Sequence, residues 1–281
     1  MDRVGLPPAP RRTGSACSRS ERDIASREER ALQSSVYAVE AKVEGSHWWF
    51  RGRRRLVADV IRTLGVPRTA AVLDVGSGTG TNLRLLRELG FRDVTAVDAS
   101  EDAIRFCDEK GLGPVLQGDI CALPCPDDTY DLILATDIIE HIDDDAQALA
   151  ELHRVLRPGG TAILTVPAFP SLWGLQDRVS HHRRRYRRRE LEGRIAQAGL
   201  SLRRSFYFNY LLFLPIWLAR QCIERFGVEL ESENQVNTPV LNRILGWIFT
   251  LDVRTAPRIH PFFGVSLLAL AQREASAETR P

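Results

Sequence analysis

The apolar positions of this chain follow two rhythms, short unbroken runs and stretches spaced three and four residues apart. The runs 70–75, 93–97, 114–117, 130–135 and 161–166 are brief and end in turn residues. Such runs suit strands buried on both faces of a parallel sheet. Between them, Leu83, Leu85, Leu86 and Leu89 fall at helical spacing, as do Ile142, Ala146, Leu149, Leu152, Val155 and Leu156. Gly90 and Gly111 stand where helices 82–89 and 101–110 should stop. The stretch 143–156 opens on acids and closes on His153, Arg154 and Arg157, as a helix dipole favours. Strand and helix alternate throughout, which predicts an α/β fold with a parallel sheet and right-handed crossovers.

The flanks differ from this regular centre. Residues 36–64 are helical in pattern, with Leu56, Val60, Ile61 and Leu64 on one face, but a knot at 45–55 sets Trp48, Trp49 and Phe50 among four arginines. The aromatics either form a lid over a pocket or bury against the sheet edge. After 166 come a proline-rich loop at 167–174, a basic run at 177–189, a helix at 190–198 and a strand at 201–206. Two aromatic-rich segments follow, 206–219 and 240–249, separated by the polar stretch 229–237, before a last strand near 264–271. Neither reaches the roughly 18–20 apolar residues of a membrane span. The organisation expected is a disordered tail at 1–35, an N-terminal helical lid at 36–67, a core at 68–205, an insert at 206–260, the last core strand at 261–273 and a second disordered tail at 274–281. The insert reads either as a cap on the acceptor pocket or as an interfacial contact.

Composition narrows the class only slightly. The 281 residues suffice for one sizeable core with an appendage, and the net charge of +2 says little about partners. The five cysteines form no C-x-x-C pair, so they read as free thiols in a reducing compartment rather than a zinc site. No secretory signal is visible, and the expected location is cytoplasmic, with the inner membrane face as a variant. Six arginines within 181–189 should repel one another unless an anionic partner is present. Phosphate or an anionic lipid headgroup ranks ahead of a solvated face, and nucleic acid ranks last because no recognised binding module appears.

The chemistry gathers at the strand ends. Gly76, Gly78 and Gly80 follow the first strand, where glycine permits a sharp turn and close approach to a ligand. Asp98 ends the second strand, twenty residues after Gly78, where an acid can accept hydrogen bonds from ribose hydroxyls. Asp119 follows the third and Asp137 the fourth. Four consecutive strands thus bring a glycine turn and three acids to one edge, where open α/β sheets bind ligands. An NAD-dependent oxidoreductase fits less well, since Thr81 stands at the third glycine position of G-x-G-x-x-G.

The ordered set of Asp74 to Gly80, Asp98, Gly118–Asp119, 131–134 and 156–160 resembles class I S-adenosylmethionine-dependent methyltransferases, over about 68–201 and the last strand. The aromatic–arginine knot and the segment 183–186 resemble, more loosely, a bacterial branch linked with envelope glycan and lipid-linked sugar metabolism. The resemblance implies a Rossmann-like, doubly wound, mostly parallel seven-stranded sheet, with the helical lid before it and the insert before its last strand. It implies S-adenosylmethionine as cofactor and no metal. Gly76, Gly78 and Gly80 would line its methionine and ribose, and Asp74 would orient the loop or the ammonium group. Asp98 would hold the ribose and Asp119 the adenine amino group, with Ile120 against the ring; Thr136 and Asp137 would sit beside the methionine and acceptor. His141 and Asp137 are the catalytic candidates, and Trp173, His181, His182, Arg185 and Tyr186 the acceptor-side ones. A base is needed only for a hydroxyl acceptor. The expected reaction is O-methylation of a glycan, lipid-linked or other small molecule; the alternative is a cofactor-binding scaffold or sensor without turnover.

Overall fold

The chain is described here by a computed structural model, which covers residues 37, 41–226 and 238–275. The expected disorder of 1–35, the polar stretch 229–237 and most of the tail at 274–281 fall outside the described residues.

Helix α1 (Trp48–Leu64) is capped by His47, whose side chain accepts from the Trp49 amide, and closed by Gly65 in the left-handed conformation. There follow β1 (Ala71–Val75), α2 (Thr81–Glu88), β2 (Asp93–Asp98), α3 (Glu101–Glu109), β3 (Leu116–Gln117) and β4 (Tyr130–Thr136). The second half supplies α4 (Asp145–Val155), β5 (Leu156–Pro167), α5 (Leu175–Val179), α6 (Arg188–Gln197) and β6 (Ser201–Phe208). Helices α7 (Phe213–Phe226) and α8 (Pro239–Ile259) precede β7 (Ser266–Gln272).

The strands form one seven-stranded sheet in the order β3-β2-β1-β4-β5-β7-β6. All pairs are parallel except those of β7, which runs antiparallel to β5 and β6. Strand order reverses between β1 and β4, which opens a crevice at their carboxyl ends. This is the Rossmann-like doubly wound sheet expected, with helices on both faces.

Each face of the sheet has its own apolar layer. Leu73, Ile133, Leu164 and Leu267 meet Leu149, Leu152 and Ile195 of α4 and α6. On the other face, Val72, Leu132, Ile163 and Phe208 meet Leu56 and Ile61 of α1, Leu86 of α2 and Phe249 of α8. The N-terminal helix and the insert helix therefore cover one side together. Gly52 makes their contact possible, because a Cβ there would lie inside the Phe249 ring. Trp48 and Trp49 pack on the same ring at centroid distances of 5.2 Å, and Asn242 accepts from the Trp48 amide at 2.7 Å.

Three expectations change here. The segment 206–219 is not one apolar stretch, since β6 continues to Phe208 and the chain turns at Asn209. Buried Asp252 of α8 fixes that turn by accepting from the amides of Asn209 (2.7 Å) and Leu211 (2.8 Å). The second aromatic segment is longer than 240–249, running on to Ile259. Four of the six arginines of the run find carboxylate partners within the chain. Arg183 pairs with Asp143 (3.5 Å), Arg184 with Asp145 (3.2 Å), Arg185 with Asp177 (2.7 Å) and Arg188 with Glu192 (2.8 Å).

Candidate functional site

At the carboxyl edge of β1, β2, β3 and β4 lies a cavity of about 640 Å³. Its floor is the turn after β1. Gly76 (φ 74°) and Gly78 (φ 51°) both adopt the left-handed region that favours glycine. A Cβ at Gly76 would collide with Ile138, whereas one at Gly78 would meet nothing nearer than Tyr37 at 3.9 Å. The loop thus presents bare backbone to the cavity.

Asp98 ends β2 with both carboxylate oxygens engaged, Oδ2 by the Gly78 amide and Oδ1 by the Ser100 amide, each at 2.9 Å. Burial pushes its pKa up and these amides pull it down, the burial effect prevailing. The carboxylate so braced ties β2 to the glycine turn and borders the cavity with Gly118, Asp119 and Ile120. Ile120 is buried and Asp119 exposed, an apolar surface beside an acid.

Asp74 and Gly80 stand behind this surface rather than on it. Asp74 is fully buried, takes one hydrogen bond from Asn82 Nδ2 (2.9 Å) and leaves Oδ2 without a partner. Asn82 also donates to Thr136 Oγ1 at 2.9 Å, so β1, α2 and β4 share one amide group. Gly80 closes the turn as the left-handed N-cap of α2, and a Cβ there would sit 2.6 Å from Leu112. Its glycine is needed by helix packing, not by the cavity wall.

The lid side is built from residues that are remote in sequence. Trp48, Trp49, Phe50 and Arg53 border the cavity, and the aromatics also pack in the core. Arg53 forms an ion pair with Asp137, which also accepts from Thr165 Oγ1 at 3.1 Å. Asp137 is therefore committed to a charge partner and a hydroxyl, and its φ of 53° marks a constrained turn. Buried Glu44 fastens the start of the lid, accepting from Thr79, from Thr81 at 3.1 Å and from Lys110 at 2.8 Å.

Beyond β4 a second polar group faces the cavity. His141 and His182 meet edge to face with ring centroids 4.7 Å apart. His182 Nδ1 is 2.8 Å from Asp177 Oδ1. Arg185 donates to the same oxygen at 2.7 Å, and Arg220 lies 3.5 Å from Oδ2. Burial alone would raise the Asp177 pKa, but His182 and the two arginines outweigh it and bring the carboxyl to about 2. Burial, reinforced by neighbouring His182, lowers His141 to about 4 against the opposing pull of Asp137. Glu140 is wholly buried, and burial together with nearby Asp137 holds its pKa well above the usual carboxyl value.

Of the acceptor-side candidates, His181, His182 and Arg185 border the cavity. Two do not. Tyr186 lies in the core, donating to Asp145 Oδ2 at 2.6 Å, with its backbone bridged to Ala168. Trp173 is half-buried beside the loop and is absent from the wall. Glu44, Arg53, Glu140 and Asp177 were not singled out from sequence as site residues. Arg53 lay in the aromatic–arginine knot, Glu140 beside His141 and Asp177 at the head of the basic run, whereas Glu44 carried no local signal.

This sheet order, glycine turn and row of acids have known counterparts. Residues 73–164 match the methyltransferase domain family. The matched stretch runs from β1 into β5. Among curated relatives, a malonyl-[acyl-carrier protein] O-methyltransferase of Pseudescherichia vulneris is 38% identical over 121 residues, 42% of this chain and 48% of the relative. A chloroplastic 2-methyl-6-phytyl-1,4-hydroquinone methyltransferase of Oryza sativa subsp. japonica is 35% identical over 111 residues, 38% and 32% of the two chains. The matched part is thus between a third and a half of those relatives' length. Among solved structures, a chain of the complex formed by the Haloferax volcanii Trm112 methyltransferase activator aligns with TM-score 0.57 and 20% identity, over 86% of this chain and 97% of its own. That likeness shows a shared fold. S-adenosylmethionine is the cofactor that goes with a domain of this family. The residues present fit it: a backbone cradle at Gly76–Gly78, a braced carboxylate at Asp98 and a buried apolar wall at Ile120.

Proposed function

We propose that this chain is an S-adenosylmethionine-dependent methyltransferase that methylates a hydroxyl of a glycan, a lipid-linked molecule or another small acceptor. The observation that carries this reading is the convergence of the glycine turn, Asp98, Asp119 and the histidine pair on one cavity. In it, Asp98 holds the ribose hydroxyls, Asp119 the adenine amino group and Ile120 the ring face. Asp74 and Gly80 act from behind, fixing the shape of the turn. S-adenosylmethionine, held there, would supply a methyl group activated by the sulfonium charge.

The chain's own part is positioning and proton removal. Arg53 holds Asp137 at the end of β4, which leaves proton acceptance from the hydroxyl to His141 rather than to Asp137. His141 is neutral at pH 7 and able to take the proton, with His182 oriented beside it by Asp177. The lid residues Trp48 and Trp49 exclude water from the reacting atoms.

The acceptor class is read from the insert. Val240, Ile244, Trp247 and Leu251 form an exposed stripe along α8, and Leu214, Trp217 and Leu218 are exposed on α7. Exposed Arg243, Arg254 and Arg258 flank the α8 stripe, while the one acid of α8, Asp252, is buried. An apolar face bordered by cations suits an anionic membrane surface, and the chain then works at the inner face on a lipid-linked substrate. No described helix is long and apolar enough to cross a membrane.

Transfer of labelled methyl from S-adenosylmethionine to extracted lipid and glycan fractions tests the reading. Label is expected in a hydroxyl-derived methyl ether of one fraction, and lost with His141→Ala. Cofactor binding with no label in any fraction would instead favour a scaffold or sensor.

A further inference from the structure

We propose that Glu140, His141 and His182 form a binding site for one divalent transition-metal cation on the acceptor side of the cavity. Each residue offers one ligand atom, and these atoms lie within 4.8 Å of one another. Two histidines and a carboxylate are a donor set used by zinc and non-haem iron centres, which keep open positions for an oxygen ligand. Donors on such an ion, with bonds of about 2.0–2.2 Å, stand about 3.3 Å apart, so modest side-chain rotations close the set.

Glu140 is the first reason. Its side chain is fully buried, and neither carboxylate oxygen has a hydrogen-bond partner among the described residues. A buried carboxylate left this way is costly unless a cation or a proton compensates it. Arg53 and Arg185 lie near enough to attract it, while their ion pairs are with Asp137 and Asp177. A cation held between Glu140 and the histidines would add charge directly at its oxygens.

The histidines are the second reason. His182 already has Nδ1 within 2.8 Å of Asp177 Oδ1, from outside the cluster. Metal-bound histidines are held this way, the outer hydrogen bond fixing tautomer and ring orientation. His141 packs edge to face against that ring, with centroids 4.7 Å apart. All three residues border the cavity beside Thr136 and Asp137, away from Asp98 and Asp119 at the ends of β2 and β3.

The role of the ion, though not its binding, rests on the methyl-transfer reading. There it would bind the acceptor hydroxyl and lower its pKa, so that the proton passes to solvent and His141 serves as a ligand instead of as the proton acceptor. The full chain, free of any histidine tag and stripped with chelator, can be dialysed against Zn²⁺, Mn²⁺ and Co²⁺ and its metal content measured. About one cation per chain is expected, with visible absorption bands in the Co²⁺ form. Glu140→Gln and His182→Ala should each weaken binding about tenfold or more. Glu140→Gln is nearly isosteric, and circular dichroism with S-adenosylmethionine titration checks its fold. Less than stoichiometric binding, or equal binding in both folded variants, overturns the site and leaves Glu140 a protonated buried carboxyl. S-adenosylmethionine binding without a cation would strike the site alone, whereas a cation without S-adenosylmethionine would strike the methyl-transfer reading alone.

Discussion

At the scale of single residues, the carboxyl behind the glycine turn has a measurable consequence. Burial raises the Asp74 pKa from 3.8 to about 7, against the pull of its Asn82 hydrogen bond. The native state then holds a proton that the unfolded chain has lost between about pH 4 and pH 7. Its contribution is complete below pH 4 and disappears as pH rises through 7, a change on the order of 4 kcal/mol. Wild type should therefore lose stability relative to Asp74→Asn as pH rises across that window, read by denaturant unfolding at each pH. Parallel curves would contradict the buried, protonated carboxyl. Asp98 and Asp119 were legible because a strand and the acid that ends it are adjacent in sequence. Arg53 with Asp137, 84 positions apart, and Glu44 with Lys110, 66 apart, were not, since only the tertiary fold brings such partners together.

At the scale of elements, the lid depends on two contacts that can be broken separately. Gly52→Ala would drive a methyl group into the Phe249 ring and force α1 from α8. Overpacking of this kind costs about 1–3 kcal/mol, so a lower unfolding midpoint with an unchanged m-value is expected. Glu44→Ala leaves Thr79, Thr81 and Lys110 without their shared acceptor. Hydrogen exchange across 41–64 should then quicken more than in β4, whereas uniform change would mean the clamp is not local. The periodicity of α2 and α4 announced both helices, because each buries one face on the sheet. The stretch 206–219 misled for the opposite reason. Its residues are apolar apart from Asn209, and the partner that fixes the turn there, Asp252, lies over forty positions away.

At the scale of the whole molecule, the sheet places the cavity at the carboxyl ends of β1 to β4, and the proposed reading leaves the insert to meet the acceptor's surroundings. Trp247 is 78% exposed and Phe262 94%, so replacing the indole should leave the core intact. Wild type is expected to float with anionic vesicles at low salt and to be released by high salt. Trp247→Glu should float far less with an unchanged melting temperature, and equal flotation would remove the membrane from the account. The central claim is that the turn and Asp98 form an S-adenosylmethionine seat. Calorimetric titration of the full chain tests it most directly. Saturable one-to-one binding is predicted, weakened about tenfold or more, or about 1.4 kcal/mol, in Asp98→Ala that still folds. No heat of binding in wild type, or the same affinity in the variant, would contradict it.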